Sequence, residues 1–131
     1  MKFTVNELLK AGSHDWTVKQ GFEVNPIALR NLEDLVRKLN ALGYTPPMRA
    51  TSCLRSYEMQ KQIKPSAMGS SHLYGCAVDI ADTDGKLKAW CVANKAKLVE
   101  CGLWMEDSTS TKTWCHLQTY APKSMNRIFK P

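Results

Sequence analysis

An aspartate set inside an apolar strand restricts this chain more than any other feature. Residues 76–81, Cys-Ala-Val-Asp-Ile-Ala, read as a buried strand in which Asp79 stands between Val78 and Ile80. A carboxylate in a sheet interior is costly unless it is paired or bound to a cation, so the fold must bring it a partner. The chain has only three histidines, His14, His72 and His116. His72 lies just upstream in Ser70-Ser71-His72-Leu73-Tyr74-Gly75, where the glycine lets the backbone turn sharply or approach another segment closely. His116 sits in a second apparent strand, Trp114-Cys115-His116-Leu117.

Two imidazoles and one carboxylate suit zinc and leave one coordination position for water. Such an open site acidifies its water and polarises a carbonyl, which is the chemistry of amide hydrolysis. On spacing alone the structural alternative stays open: a loop histidine, a satisfied core histidine, and an aspartate accepting N–H groups. No H-E-x-x-H occurs, so the commonest zinc-protease arrangement is absent.

The rest of the chain predicts an α+β fold, a small and mostly antiparallel sheet with flanking helices. Thr4 and Glu7 have capping-box spacing and open a short helix that ends near Gly12. Asn25-Pro26 starts a helix carrying Leu29, Leu32, Leu35, Val36, Leu39 and Leu42, closed by Gly43. Pro46-Pro47 then break the chain, and 48–54 reads as a strand, followed by a short helix over 57–63 and a loop over 64–71. Asp84-Gly85 starts a second long helix, expected to run unbroken to Gly102, with Asp82 and Asp84 as helix-start residues. Residues 103–106 and 113–119 read as a closing strand pair around a polar turn. No linker divides the 131 residues, so one domain over 1–131 is expected.

The net charge of +6 favours an anionic partner. The basic residues are scattered, and neither an aromatic-basic interleaving nor a helix-turn-helix pattern supports nucleic acid. No apolar run approaches the ~20 residues that span a bilayer. The first seven residues have a polar break where a signal peptide needs its apolar stretch, so synthesis in the cytoplasm without a signal is expected. The five cysteines include no C-x-x-C pair and read as reduced, half-buried small hydrophobes.

The Ser-x-His-x-x-Gly-x-Ala-x-Asp stretch at 70–79, with a Trp-x-His strand near the C-terminus, resembles the D-Ala-D-Ala carboxypeptidase-like family of peptidoglycan metallopeptidases. That family includes phage endolysins and shares its fold with the hedgehog signalling domain. Phe3-Thr4-x-x-Glu7-Leu8-Leu9, Asn25-Pro26, the leucine helix and Thr51-Ser52-Cys53-Leu54-Arg55-Ser56 follow the family in order. The resemblance implies zinc held by His72, Asp79 and His116, and a single peptidase domain without a separate wall-binding domain. It implies a monomer that cuts peptidoglycan stem or cross-link peptides, approaches an anionic bacterial envelope, and acts on the wall after release. A zinc-containing wall-binding module that has lost catalysis, or a virion component that opens the wall, remain the alternatives.

Arg55 ends a strand, where its guanidinium can bind a carboxylate bidentately; the resemblance gives it a substrate role. Ser70 is a second substrate-binding candidate. Trp114 shares a strand face with His116 and is expected to flank the cleft, with Cys115 pointing the other way. Hydrolysis also needs a proton carrier. Many relatives carry Glu or Asp three residues before the last histidine, or His two before it, but here those positions are Thr113 and Trp114. The nearest acids are Glu106 and Asp107, at the end of the preceding strand. Glu106 is the first choice, because its longer side chain reaches across a turn, and Asp107 is the second.

Overall fold

A computed structural model describes residues 2–11, 26–54 and 71–130. Arg55, Ser70, His14 and the expected 57–63 helix lie outside those residues. The described elements are α1 (Val5–Leu9), α2 (Pro26–Ala41), β1 (Ala50–Ser52), a 3-10 turn (Ser71–Tyr74) and β2 (Ala77–Ala81). They continue with α3 (Lys86–Ala93), α4 (Lys95–Cys101), β3 (Trp104–Glu106), β4 (Trp114–Gln118) and β5 (Ile128–Phe129). The strands form one sheet in the order β1-β2-β4-β3-β5. All pairings are antiparallel except β3 with β5. The expected α+β class and mostly antiparallel sheet are therefore what the chain builds. β5 was not anticipated, since a two-residue strand is too short to show a period.

Alternation of side chains divides the sheet into two chemically distinct faces. Val78, Ile80, Met105, Cys115 and Leu117 point into the core, where each is fully buried beside Leu32, Leu35 and Leu39 of α2. Each such leucine contributes roughly 1.5–3 kcal/mol through burial. Asp79, Glu106, His116 and Gln118 occupy the opposite register and share the other face. Cys115 thus points away from His116, as the period requires. All five cysteines are thiols, with Cys53, Cys91 and Cys115 buried.

Local chemistry accounts for the helix boundaries. Thr4 Oγ1 accepts from the Glu7 amide at 3.2 Å and caps α1. The Glu7 carboxylate accepts from the Thr4 hydroxyl at 3.3 Å, so the capping box is closed through side chains at its second arm. The expected single helix over 84–102 is two helices. Asn94 breaks it: its backbone N–H and its side-chain amide both donate to the Trp90 carbonyl, at 2.8 and 2.9 Å. An Asn side chain that bonds nearby backbone in this way competes with helix continuation. Asp82 is buried at the start of α3 and accepts from the Leu87 and Lys88 amides, each at 2.9 Å. The Lys88 ammonium, also buried, donates to the Thr111 and Lys112 carbonyls and ties α3 to the β3–β4 connection.

Gly75 positions the site. Its φ of +73° is a region that side-chain-bearing residues rarely enter, and a Cβ there would stand 2.8 Å from the Ala28 carbonyl oxygen. The close approach seats the 3-10 turn directly on α2, where Asn31 Nδ2 donates to the Tyr74 carbonyl at 2.8 Å. The chain leaves that turn straight into β2, so His72 and Asp79 are carried by one rigid corner.

Candidate metal centre

Three donors converge where β2, β4 and the 3-10 turn meet. Asp79 lies directly across from His116 in the β2–β4 register. Asp79 Oδ1 is 3.1 Å from His116 Nδ1 and 3.3 Å from His72 Nε2. The three ligand atoms all lie within 4.8 Å of one another, and each residue is no more than 7% exposed. Zinc bonds of about 2.0–2.1 Å in a tetrahedron put neighbouring ligand atoms about 3.3 Å apart, close to both contacts.

The outer nitrogen of each imidazole is already engaged, and this decides which nitrogen faces the centre. His72 Nδ1 lies 2.7 Å from the Cys53 carbonyl oxygen. A carbonyl only accepts, so Nδ1 carries the proton and Nε2 turns to Asp79 as a lone pair. On His116, Nε2 lies 2.8 Å from Gln118 Oε1, while Gln118 Nε2 donates to the Tyr120 carbonyl at 2.9 Å. That second bond fixes the amide orientation, so His116 Nε2 is the donor and Nδ1 is the inward lone pair. Two neutral imidazoles would thus aim lone pairs at one carboxylate oxygen. Such an arrangement requires a proton or a cation between them.

The His116 pKa is raised from its ordinary value. Burial alone would lower its pKa, but the bonds to Asp79 and Gln118 and the charge of Glu106 outweigh burial and raise it. Burial would likewise raise Asp79, yet His116 and His72 hold its carboxyl well below the usual carboxylate range. Phe129 packs edge-on against His116, with ring centroids 6.3 Å apart, and walls the centre from β5.

Of the two acids at the end of β3, Glu106 reaches this centre and Asp107 does not. Glu106 Oε2 is 3.7 Å from His116 Nδ1, yet Glu106 stands outside the mutual ligand group. The Asp107 carboxylate accepts from the Thr109 amide and hydroxyl at 2.8 and 2.7 Å, and so is spent on its own turn. Those bonds hold its pKa below the ordinary value. Trp114 stands half-buried opposite Ala81, on the same strand face as His116. A hollow of about 520 Å³ opens beside the start of α3, lined in part by Tyr44, Pro46, Met48 and Asp84, and shares no residue with the metal group.

A family model for Peptidase M15 matches residues 1–118. The chain belongs to the Peptidase M15 family. Membership agrees with the family expected from the 70–79 motif. The crystal structure of the Serratia marcescens L-Ala D-Glu endopeptidase ChiX superposes with a TM-score of 0.52 at 22% identity. The match covers 82% of this chain and 96% of that one, which makes the two folds alike. No curated protein sequence matches the chain. The family match ends at Gln118, so β5 and its approach lie beyond it. Among the described residues no helix is long and apolar enough to cross a membrane.

Gln118 and the Cys53 carbonyl are site groups that sequence reading missed. Gln118 carried a detectable signal, since it follows His116 by two residues and so shares its face. The carbonyl carried none. Outer partners of this kind are typically worth about 10- to 100-fold in metal affinity. Gln118→Leu is therefore expected to weaken metal uptake by that factor while the fold remains. Titration against a competing chelator measures it, and an unchanged affinity would remove Gln118 from the site.

Proposed function

We propose that this protein is a zinc-dependent peptidase of bacterial peptidoglycan, holding the ion with His72 Nε2, Asp79 Oδ1 and His116 Nδ1. One observation carries the reading: three donors with outer-bonded imidazoles aim at a single point. When bound, zinc acidifies water and polarises the scissile carbonyl. Glu106 takes a proton from the attacking water and passes it to the leaving amine as the C–O bond forms and the C–N bond breaks. Arg55, Ser70 and Trp114 are the substrate-binding residues of this proposal. Peptidoglycan as substrate is supported by the 70–79 motif and by the fold shared with an L-Ala D-Glu endopeptidase. The net charge of +6 suits approach to an anionic bacterial envelope, in an endolysin-like role after release.

Zinc-loaded protein incubated with purified peptidoglycan should release new amino and carboxyl ends in pairs. Mass spectrometry of the muropeptides reports both the cut and its position, and absence of any new ends would overturn the reading. A non-catalytic wall-binding module is disfavoured by Glu106, whose carboxylate stands beside the ligand nitrogen of His116.

The raised His116 pKa gives metal binding a pH dependence of defined sign. A raised His116 pKa stabilises the metal-free fold below the ordinary value of 6.5, and that contribution is lost as pH rises through the raised value. The depressed Asp79 stabilises it above the ordinary 3.8, a contribution lost as pH falls through the lowered value. Zinc must displace the His116 proton. The increase in Tm on adding zinc should therefore be small at pH 5.5 and large at pH 8. Thermal scans with and without zinc test this, and equal increments at both pH values would contradict it.

A further inference from the structure

Arg127 lies beyond the family match, in the segment leading into β5, and is stacked on the site face of the sheet. Its guanidinium carbon sits 3.6 Å above the centre of the Trp104 ring. One nitrogen, Nη1, donates to the Leu103 carbonyl at 3.0 Å and fixes the plane of the fork. A guanidinium has five N–H donors, and this bond uses one. Among the described residues no carboxylate pairs with it. Trp104 and Glu106 are two apart on β3, so they share a face and stand roughly 6–7 Å apart along it. Trp104 is also directly across from Gln118, the residue that orients His116. A half-buried, pre-oriented cation therefore sits on the same sheet face as the candidate metal centre, beside the strand that carries Glu106.

We propose that Arg127, held flat by Trp104, binds a free carboxylate of the substrate peptide and makes the enzyme selective for acidic over amidated substrates. This rests on the peptidase reading above. Stacking leaves the edge of the fork to form paired N–H···O bonds with a carboxylate, and a carboxamide offers only one acceptor oxygen without charge. The carboxylate has two sources in a stem peptide, a group along the chain or the C-terminus itself.

Synthetic stem peptides with a free acid or a carboxamide, placed internally in one series and at the C-terminus in another, separate the two. Binding to the metal-free full chain by calorimetry and kcat/KM for the zinc-loaded chain are read together. The wild type should favour the acid over the amide by about 10- to 100-fold in one series, the range expected of a charge-assisted pair. Arg127→Met should bring that ratio near one while cutting the amide peptide as the wild type does, and Arg127→Lys should restore part of the preference. Equal loss on acid and amide peptides, or an unaltered preference in Arg127→Met, would overturn the proposal and leave the peptidase reading standing. Absence of cleavage by the wild type on every peptide and on whole peptidoglycan would instead sink the peptidase reading, and acid-selective binding would then decide Arg127 alone.

Discussion

Asp79→Ala is expected to lose zinc and to lower kcat/KM on peptidoglycan peptides by about 1,000-fold or more, the largest effect of any single change. Asp79 Oδ1 is the atom that both imidazoles face, at 3.1 and 3.3 Å, so removing it takes away one proposed ligand and the centre of the group. A bound metal would supply several kcal/mol of transition-state stabilisation, and each 1.36 kcal/mol is about tenfold in rate. The fold should survive, because Val78 and Ile80 keep the strand in the core, although the stabilisation from the Asp79–His116 pair is lost. His116 should then lose its raised pKa, since burial would act on it without its main opposing partner. Zinc per chain after dialysis, circular dichroism and muropeptide release test the three parts together. A variant that keeps one zinc and cleaves like the wild type would remove Asp79 from the ligand set.

The candidate metal-binding group was legible because Asp79 breaks a local rule. Asp79 is a charge in a strand whose neighbours are apolar, and only a partner makes that tolerable. The two-residue period put His116 and Cys115 on opposite faces of β4, and the structure agrees. Gly75 was legible as a special backbone position, though not what it approaches; the Ala28 carbonyl contact depends on how α2 seats, which no local pattern states. The leucine helix and the β3–β4 pair were equally plain, being long enough or alternating enough to show a period.

What stayed hidden was either backbone or local competition. The Cys53 carbonyl that fixes the His72 tautomer is a group every residue carries, so no residue type marks it. The break at Asn94 was missed because the apolar spacing from Leu87 to Leu98 runs on through it. An asparagine that captures the Trp90 carbonyl twice ends the helix without disturbing that spacing. β5 pairs in parallel with β3 through two residues, below the length at which alternation can be read. Yet β5 brings Phe129 against His116, so a site wall comes from the least legible element.

The proton carrier was the open choice, and the geometry separates the two acids. Glu106→Gln is expected to lower kcat about 100- to 10,000-fold, the usual contribution of general acid–base catalysis, while zinc stays bound. The amide keeps the size of the side chain, so packing at β3 is preserved and only the exchangeable proton site is lost. Asp107→Asn should change kcat by no more than a few-fold, since that carboxylate serves Thr109 within the turn and not the centre. Zinc retention is the decisive control, because Glu106 Oε2 stands 3.7 Å from His116 Nδ1 and could act instead as a fourth ligand. If Glu106→Gln loses zinc and activity in proportion, Glu106 is a ligand; if it keeps both, the base lies elsewhere. Zinc kept and turnover lost is the outcome that its place beside the three-donor group leads us to expect, with the metal held by His72, Asp79 and His116 and the proton moved from β3.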